Sequence, residues 1–372
     1  MLSQDVVERA LIKAQQSASH SWEYSTVFEA LLEYHNPQLS VFHHDPFPHG
    51  QVPRVSIEEV EALRYVRLHI RTDTAGLSDG NGSSADPTSL CVAAHLFSRS
   101  PSLPEQARAA YHRALSQQLL SLLTRSPRFP NGAISHRDAY PSLWADSIYM
   151  VPPILAYHGV STCDIGMAKE SVRQCQLYCE VLVMPSGLWR HIANEETSAK
   201  HFDAKTDDGA WCTSNAWAAA GMARVLATLR SSQFAAETAT EQGSLLDMTK
   251  AILDAAIQAD SHSSGLLRNY LDDDSWFGDV AGTALMASAA FRMAVLNANI
   301  FGEKHTAWAT AKMHTVARHV DPETGIAAPV VNSLKERQPT PLHGINPEAQ
   351  AFVVLLYTAY RDWKVAVESI SA

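Results

Sequence analysis

The residues of this 372-residue chain best suited to chemistry are carboxyls, imidazoles and indoles gathered where its apolar segments meet. Of eight tryptophans, Trp144, Trp189, Trp211, Trp217 and Trp276 stand in or beside loops rich in Gly and His. A large flat ring beside polar groups stacks well on a sugar ring, although the same side chain also packs helix ends. Their clustering favours the first use. His136 and His191 belong to the same loop segments. A carboxyl in such company can give and take a proton, and Asp146 and Asp86 are the ones to weigh. By spacing alone, Asp146 follows Ser142 as a possible N-cap, and an acid there stabilises the helix macrodipole by roughly 0.3 to 1 kcal/mol. Asp86, directly before Pro87, also suits an ordinary helix entry.

Other reactive clusters point nowhere. Cys175 and Cys179 share a helix face but lack a second ligand pair of matching spacing, so they read as packing residues. His43-His44-Asp45 lies in a Pro- and His-rich loop. Gly76, Gly80 and Gly82 lack the Lys and Ser/Thr of a phosphate loop, and Asp272-Asp273-Asp274 lacks the calcium-loop pattern. No metal and no cofactor are expected.

The elements that must position these residues are helices. Between Pro104 and Arg125, apolar residues recur mostly three and four apart, which predicts an amphipathic helix. Asn346 as N-cap and Pro347 at the first position predict another to Trp363. Further helices are predicted over 5–18, 25–35, 57–68, 87–98, 143–157, 166–181, 212–230, 245–259, 279–297 and 305–317, and Pro152-Pro153 must kink the one containing Asp146. No series of alternating strands competes with them. Gly132, Gly187, Gly265 and Gly325 each precede apolar residues between helices, the mark of a repeated two-helix unit. A helical hairpin cannot bury its apolar face alone, and closing a stack of six into a ring leaves no exposed end. The expected fold is therefore all-α, an (α/α)6 barrel or six-hairpin toroid, formed by residues 1–372 as one domain. The stretches 72–87 and 231–244 read as surface loops.

Composition limits the partners. A net charge of −10 without long single-sign runs argues against nucleic acid. No apolar run approaches the roughly 20 residues of a membrane span. Five irregularly spaced cysteines suit a reducing compartment, and the charged first twenty residues do not read as a secretory leader, so the cytoplasm is the expected location.

The segment from Asn131-Gly132 to His136, followed by Leu143-Trp144-Ala145-Asp146-Ser147-Ile148-Tyr149-Met150, is the most specific of several motifs. Gly187-Leu188-Trp189-Arg190-His191, Trp211 to Trp217, Asp279 to Ala284 and Pro347 to Phe352 follow it in order. Over most of its length the chain resembles the unsaturated rhamnogalacturonyl and glucuronyl hydrolases of glycoside hydrolase families 105 and 88. The resemblance implies a six-hairpin barrel acting on 4,5-unsaturated uronic acids at the end of pectin-like or glycosaminoglycan fragments. It makes Asp146 the general acid and base and Asp86 a weaker acidic helper. His136, Trp144, His191, Trp211, Thr213, Ser214, Asn215 and Trp217 would shape the sugar site. The chemistry suits the residue type: a carboxylic acid can protonate the enol-ether double bond, and its carboxylate can then activate water.

One segment departs from the pattern. Where the family carries Trp-Gly-Arg-Gly-Asn-Gly-Trp, this chain has Trp211-Cys212-Thr213-Ser214-Asn215-Ala216-Trp217. The hydroxyls of Thr213 and Ser214 can hydrogen-bond a carboxylate or a neutral sugar, but they cannot copy the bidentate grip of arginine. The reading is thus a hydrolase of unsaturated uronyl oligosaccharides or glycosides. A lyase, isomerase or cyclase of small-molecule biosynthesis on the same scaffold, or an inactive sugar-binding relative, are the alternatives. Its partner is a small carbohydrate, with no nucleic acid or membrane, and the chain is expected as a monomer or weak homo-oligomer.

Overall fold

A computed structural model describes residues 1–201 and 204–371. Its α-helices pair in chain order as α1 (Gln4–Ser17) with α2 (Ser21–His35), then α3 (Glu61–Val66) with α4 (Cys91–Arg99). α5 (Glu105–Thr124) pairs with the broken α6 (Ser147–Met150) and α7 (Pro152–Thr162), and α8 (Ile165–Leu182) with α9 (Cys212–Arg230). α10 (Ala239–Gln258) with α11 (Val280–Leu296), and α12 (Glu303–Arg318) with α13 (Pro347–Ser371), complete six hairpins. The second members form an inner ring, in which α9 packs on α7 and α11, α11 on α13, and α13 on α2. The outer helices α1, α5, α8, α10 and α12 each lie on an inner neighbour. The protein is a six-hairpin α/α toroid, closed where α13 meets α1 and α2.

Inner and outer helices differ in sequence because they differ in surroundings. α9 is buried along nearly its whole length and is rich in alanine, so neighbouring backbones approach closely. At Gly221 a Cβ would lie 2.2 Å from the Ile148 carbonyl oxygen, a contact only glycine allows. α5 instead buries a stripe including Tyr111, Ala114, Leu115, Leu119 and Leu122 and exposes the rest.

The predicted glycine unit is a repeated turn. Gly132, Gly187, Gly265 and Gly325 have φ of +97°, +91°, +78° and +73°. The N–H two residues later then donates to a side chain: Ile134 to Gln174, Trp189 to Asn215, Leu267 to Thr283 and Ala327 to Gln350, at 2.8–2.9 Å. Asn215, Thr283 and Gln350 are each the fourth residue of an inner helix.

The helix expected over 143–157 is not continuous. Ser142–Trp144 forms a strand, β1, antiparallel to β2 (Ile192–Asn194), and helix resumes only at Ser147. Pro153 cannot donate within a helix, so α6 and α7 meet at a break. The 57–68 helix is also divided, into 3-10 turns flanking α3, and residues 239–244 of the expected 231–244 loop begin α10. A second short ladder pairs β3 (Leu267–Arg268) with β4 (Gly278–Asp279).

Candidate active site

The inner helices present their N-terminal ends to one mouth of the ring, where a cavity of about 290 Å³ opens. Its wall includes Trp22 at the second position of α2, Asp86 opening the 3-10 turn before α4, and Asp146 directly before α6. Trp211, the N-cap residue of α9, and Glu348, the second residue of α13, complete the circle. Helix N-termini carry partial positive charge, so this mouth favours anions.

Asp146 does not cap α6; its side chain makes no capping hydrogen bond. The break after β1 instead turns the carboxyl into the cavity. Its buried Oδ2 faces the buried Nε2 of His191 at 3.3 Å, and among the described residues neither atom has another hydrogen-bond partner. His191 Nδ1 lies 2.9 Å from Asp207 Oδ2. Asp207 also accepts from the Tyr270 hydroxyl, the Gly209 N–H at 3.1 Å and the Arg337 guanidinium, whose Nε is 3.0 Å away. Burial works against charge on His191, but Asp146 and Asp207 on its two nitrogens outweigh it and push the imidazole up to about 9. Asp207, despite burial, is held down at about 2 by the donors around it, His191 and Tyr270 foremost. The result is a relay of paired groups, Asp207–His191–Asp146, ending in the cavity.

The other acids differ. Burial pushes Asp86 up to about 7, with the charge of Asp146 adding to the shift. Burial likewise lifts Glu348 to about 8, helped by the charge of Glu23. Trp22 Nε1 donates to one Glu348 oxygen, and Ser333 Oγ lies 2.9 Å from the other. The cavity therefore holds two carboxyls that keep protons near neutral pH, Asp86 about half of the time and Glu348 for the most part.

The aromatic walls are built with similar economy of contacts. Trp144 lies flat on His136 with centroids 4.5 Å apart and meets the edge of His191. His136 Nδ1 lies 2.9 Å from Ser147 Oγ, and burial drives its imidazole down to about 3, so the ring is neutral. Trp211 tilts against His191 and donates from Nε1 to Asn269 at 2.9 Å. Trp217 packs on Tyr149 and Phe352 while still lining the cavity.

Of the residues singled out in the sequence, Asp146, Asp86, His136, Trp144, His191, Trp211 and Trp217 are brought together around the cavity. Thr213, Ser214 and Asn215 are not in its wall. All three are fully buried. Asn215 clamps the Trp189 turn and donates to the carbonyls of Trp189 and Trp211. Ser214 bonds back to the Trp211 carbonyl, and Thr213 faces α11, where Gly282 leaves room for Cys212 and the Thr213 backbone. Their hydrogen-bonding groups point into the scaffold.

Sequence reasoning did not single out Asp207, Tyr270, Arg337, Glu348, Lys205 or Trp22. The first three act together only because the ring brings separate loops into contact, and no local motif marks them. Glu348 stood inside a quoted motif, where a polar residue at the second helical position was the available signal. His191, Asp207 and Glu336 bring potential ligand atoms within 4.8 Å of one another. Asp207 already carries the Arg337 cation, so this trio reads as an ion-paired network.

The model of Glycosyl Hydrolase Family 88 matches residues 91–362, well over half of the chain. The chain belongs to this family. It is accordingly a glycosidase-type hydrolase. Solved structures agree on the fold. A possible member of glycoside hydrolase family 105 from Klebsiella pneumoniae is 16% identical with a TM-score of 0.72, covering 98% of this chain and 95% of that one. A family 105 glycoside hydrolase from C. acetobutylicum gives 12% identity and 0.72, covering 96% and 98%. An unsaturated glucuronyl hydrolase specific for heparin gives 11% and 0.64, covering 97% of each chain. No curated protein matches the sequence. No helix among the described residues is long and apolar enough to cross a membrane. Family 88 membership thus attaches hydrolase chemistry to a ring whose mouth gathers Asp146, Asp86 and the indoles of Trp22, Trp144, Trp211 and Trp217.

Proposed function

We propose that the protein removes a terminal 4,5-unsaturated uronic acid from small oligosaccharides or glycosides, with Asp146 as general acid and base. The observation that carries this reading is the pairing of Asp146 with His191 at 3.3 Å inside the cavity, anchored behind by Asp207. The raised affinity of His191 for protons keeps one proton on the Asp146–His191 pair at neutral pH. As the double bond approaches, that proton moves from His191 Nε2 to Asp146 Oδ2 and on to C4, leaving a neutral imidazole and the Asp146 carboxylate. Positive charge then develops at C5, shared with the ring oxygen. A water adds to C5 and returns its proton to the Asp146 carboxylate. The resulting hemiketal opens, and the aglycone leaves as an alcohol, with one water consumed overall.

A single strong carboxyl suffices for such hydration, in contrast to ordinary glycoside hydrolysis by two carboxyls flanking the bond. Protonated Asp86 adds a hydrogen-bond donor, and Trp144, Trp211 and Trp217 give the sugar ring apolar faces. The test is loss of the ultraviolet absorbance of the unsaturated uronate across a panel of lyase-generated disaccharides. Wild type should consume at least one, and Asp146→Asn should be slower by about 100-fold or more, the scale of acid–base catalysis. A wild-type enzyme that leaves the whole panel untouched overturns the reading.

A further inference from the structure

A uronic acid brings a carboxylate into a cavity already crowded with acids, and something must receive it. The family arginine position is occupied by Thr213, which is buried outside the cavity wall. Among the described residues, the cationic side chains in that wall are Arg137, Lys205 and His191, which already lies between Asp146 and Asp207. Arg137 is engaged: its guanidinium donates to the Asn81 carbonyl at 3.2 Å and lies so close under Gly82 that a Cβ there would meet Nη2 at 2.5 Å. Lys205 is held differently. Its backbone is fixed by Asn194, whose amide donates to the Lys205 carbonyl at 2.6 Å, while its side chain is half exposed. The ammonium stands 5.7 Å from the centre of the Trp144 ring and 3.7 Å from Glu336, a loose ion pair that is easily exchanged. Trp144, Asp146 and Lys205 line the same cavity, so a sugar bound there meets the ammonium and the acid together.

Resting on the uronate reading of this cavity, we propose that Lys205 is its carboxylate-recognising residue, held over Trp144 by Glu336 until an anionic sugar takes its place. Glu336 then acts as an internal competitor: it keeps the ammonium in position when the cavity is empty and lowers the affinity for the acid. Lys205 contacts the substrate and sets specificity; it transfers no proton.

Binding of unreactive sugars tests this without any turnover. Quenching of tryptophan fluorescence, with Trp144, Trp211 and Trp217 as reporters, is titrated with D-glucuronate and D-galacturonate and with their neutral primary amides. Wild type should prefer an acid to its amide by about tenfold, the worth of one charge-assisted contact. Lys205→Met should erase that preference, and Lys205→Arg should retain it. Glu336→Gln should tighten acid binding by roughly threefold, as removal of a weak ion-pair competitor requires. A preference that survives in Lys205→Met, or a wild type that binds acid and amide equally, overturns the assignment. If the preference follows Lys205 while no unsaturated uronide is consumed, the recognition proposal stands and the hydrolase reading falls.

Discussion

The two ends of the inner ring bury ionisable groups to similar depth and treat them in opposite ways. At the closed end, Glu29 is paired with Arg224 across the ring. Glu33 and Asp362 share Arg292, each at 2.6 Å, and Thr358 donates to Glu33 at 2.8 Å. At the open end, Asp86 and Glu348 are buried with no ion pair of their own among the described residues, although the charge of Arg137 reaches Asp86, and Asp146 is paired with His191. Buried charge is stable when each carboxylate meets a cation and further donors. The closed end meets that condition and serves as a plug. The open end withholds it, and this leaves protons in the cavity at neutral pH, which a chemical site can use.

The largest expected effect lies at the plug. Arg292→Met leaves Glu33 buried with Thr358 alone and should cost about 3–5 kcal/mol of stability, the usual result of removing one partner of a buried pair. Denaturant unfolding measures it. The surviving folded enzyme should keep its KM, because the plug does not touch the cavity. A loss under about 1 kcal/mol, on the scale of an exposed pair, would remove the contrast between the ends.

Asp207→Asn strikes the open end and should lower activity more than stability. It removes the anchor behind His191, so kcat should fall roughly tenfold or more, less than the roughly 100-fold or more expected when the proton-transfer group itself is removed. Asp207 is buried and accepts from His191, Tyr270 and Gly209 as well as from the half-exposed Arg337, so stability should fall too, by about 1–3 kcal/mol, less than at the plug because the amide can still accept. The pH profile gives a second readout. With Asp207 present, His191 holds its proton up to about 9. With one of its two carboxylates gone, the imidazole gives up its proton earlier, and the alkaline fall of kcat/KM moves to lower pH. An unchanged alkaline limb would show that His191 does not set it.

Much of the ring was legible because its signals are local. Three-and-four spacing marked α5, the Asn346 cap and Pro347 marked α13, and four glycines at repeat positions forecast turns that all proved to need positive φ. Asp146, Asp86, His136, His191, Trp144, Trp211 and Trp217 were found because they sit in short motifs at helix entrances, and the ring gathers those entrances at one mouth. Two kinds of residue stayed hidden. Asn215 looked like a site residue because of its neighbours in sequence, yet it shares its job with Thr283 and Gln350, and that equivalence shows only in the hydrogen bonds. Asp207, Tyr270 and Arg337 meet from three separate loops, and contacts of such long range leave no periodic trace. The strand at 142–144 was hidden for the same reason: its pairing with 192–194 is a tertiary contact, and it overrode the helical pattern around Asp146.

The smallest effect is the most pointed test of the difference between the ends. Glu348 keeps its proton up to about 8 in the folded protein, whereas the ordinary value is 4.5. Between those limits the folded state binds more protons than the unfolded one, so this residue makes stability fall as pH rises through the window. A glutamine in its place cannot ionise, and the amide can still accept from Trp22 and donate to Ser333. Glu348→Gln should therefore match wild type near pH 5 and become the more stable of the two by pH 8. Water entering from the open cavity relieves part of the penalty, so the gain is expected at about 1 kcal/mol, close to one pKa unit in size. Thermal unfolding of both proteins at the two pH values reads it directly. If the variant is instead destabilised at pH 8, the Glu348 carboxylate is ionised and well compensated, and the open end then treats its acids as the plug does.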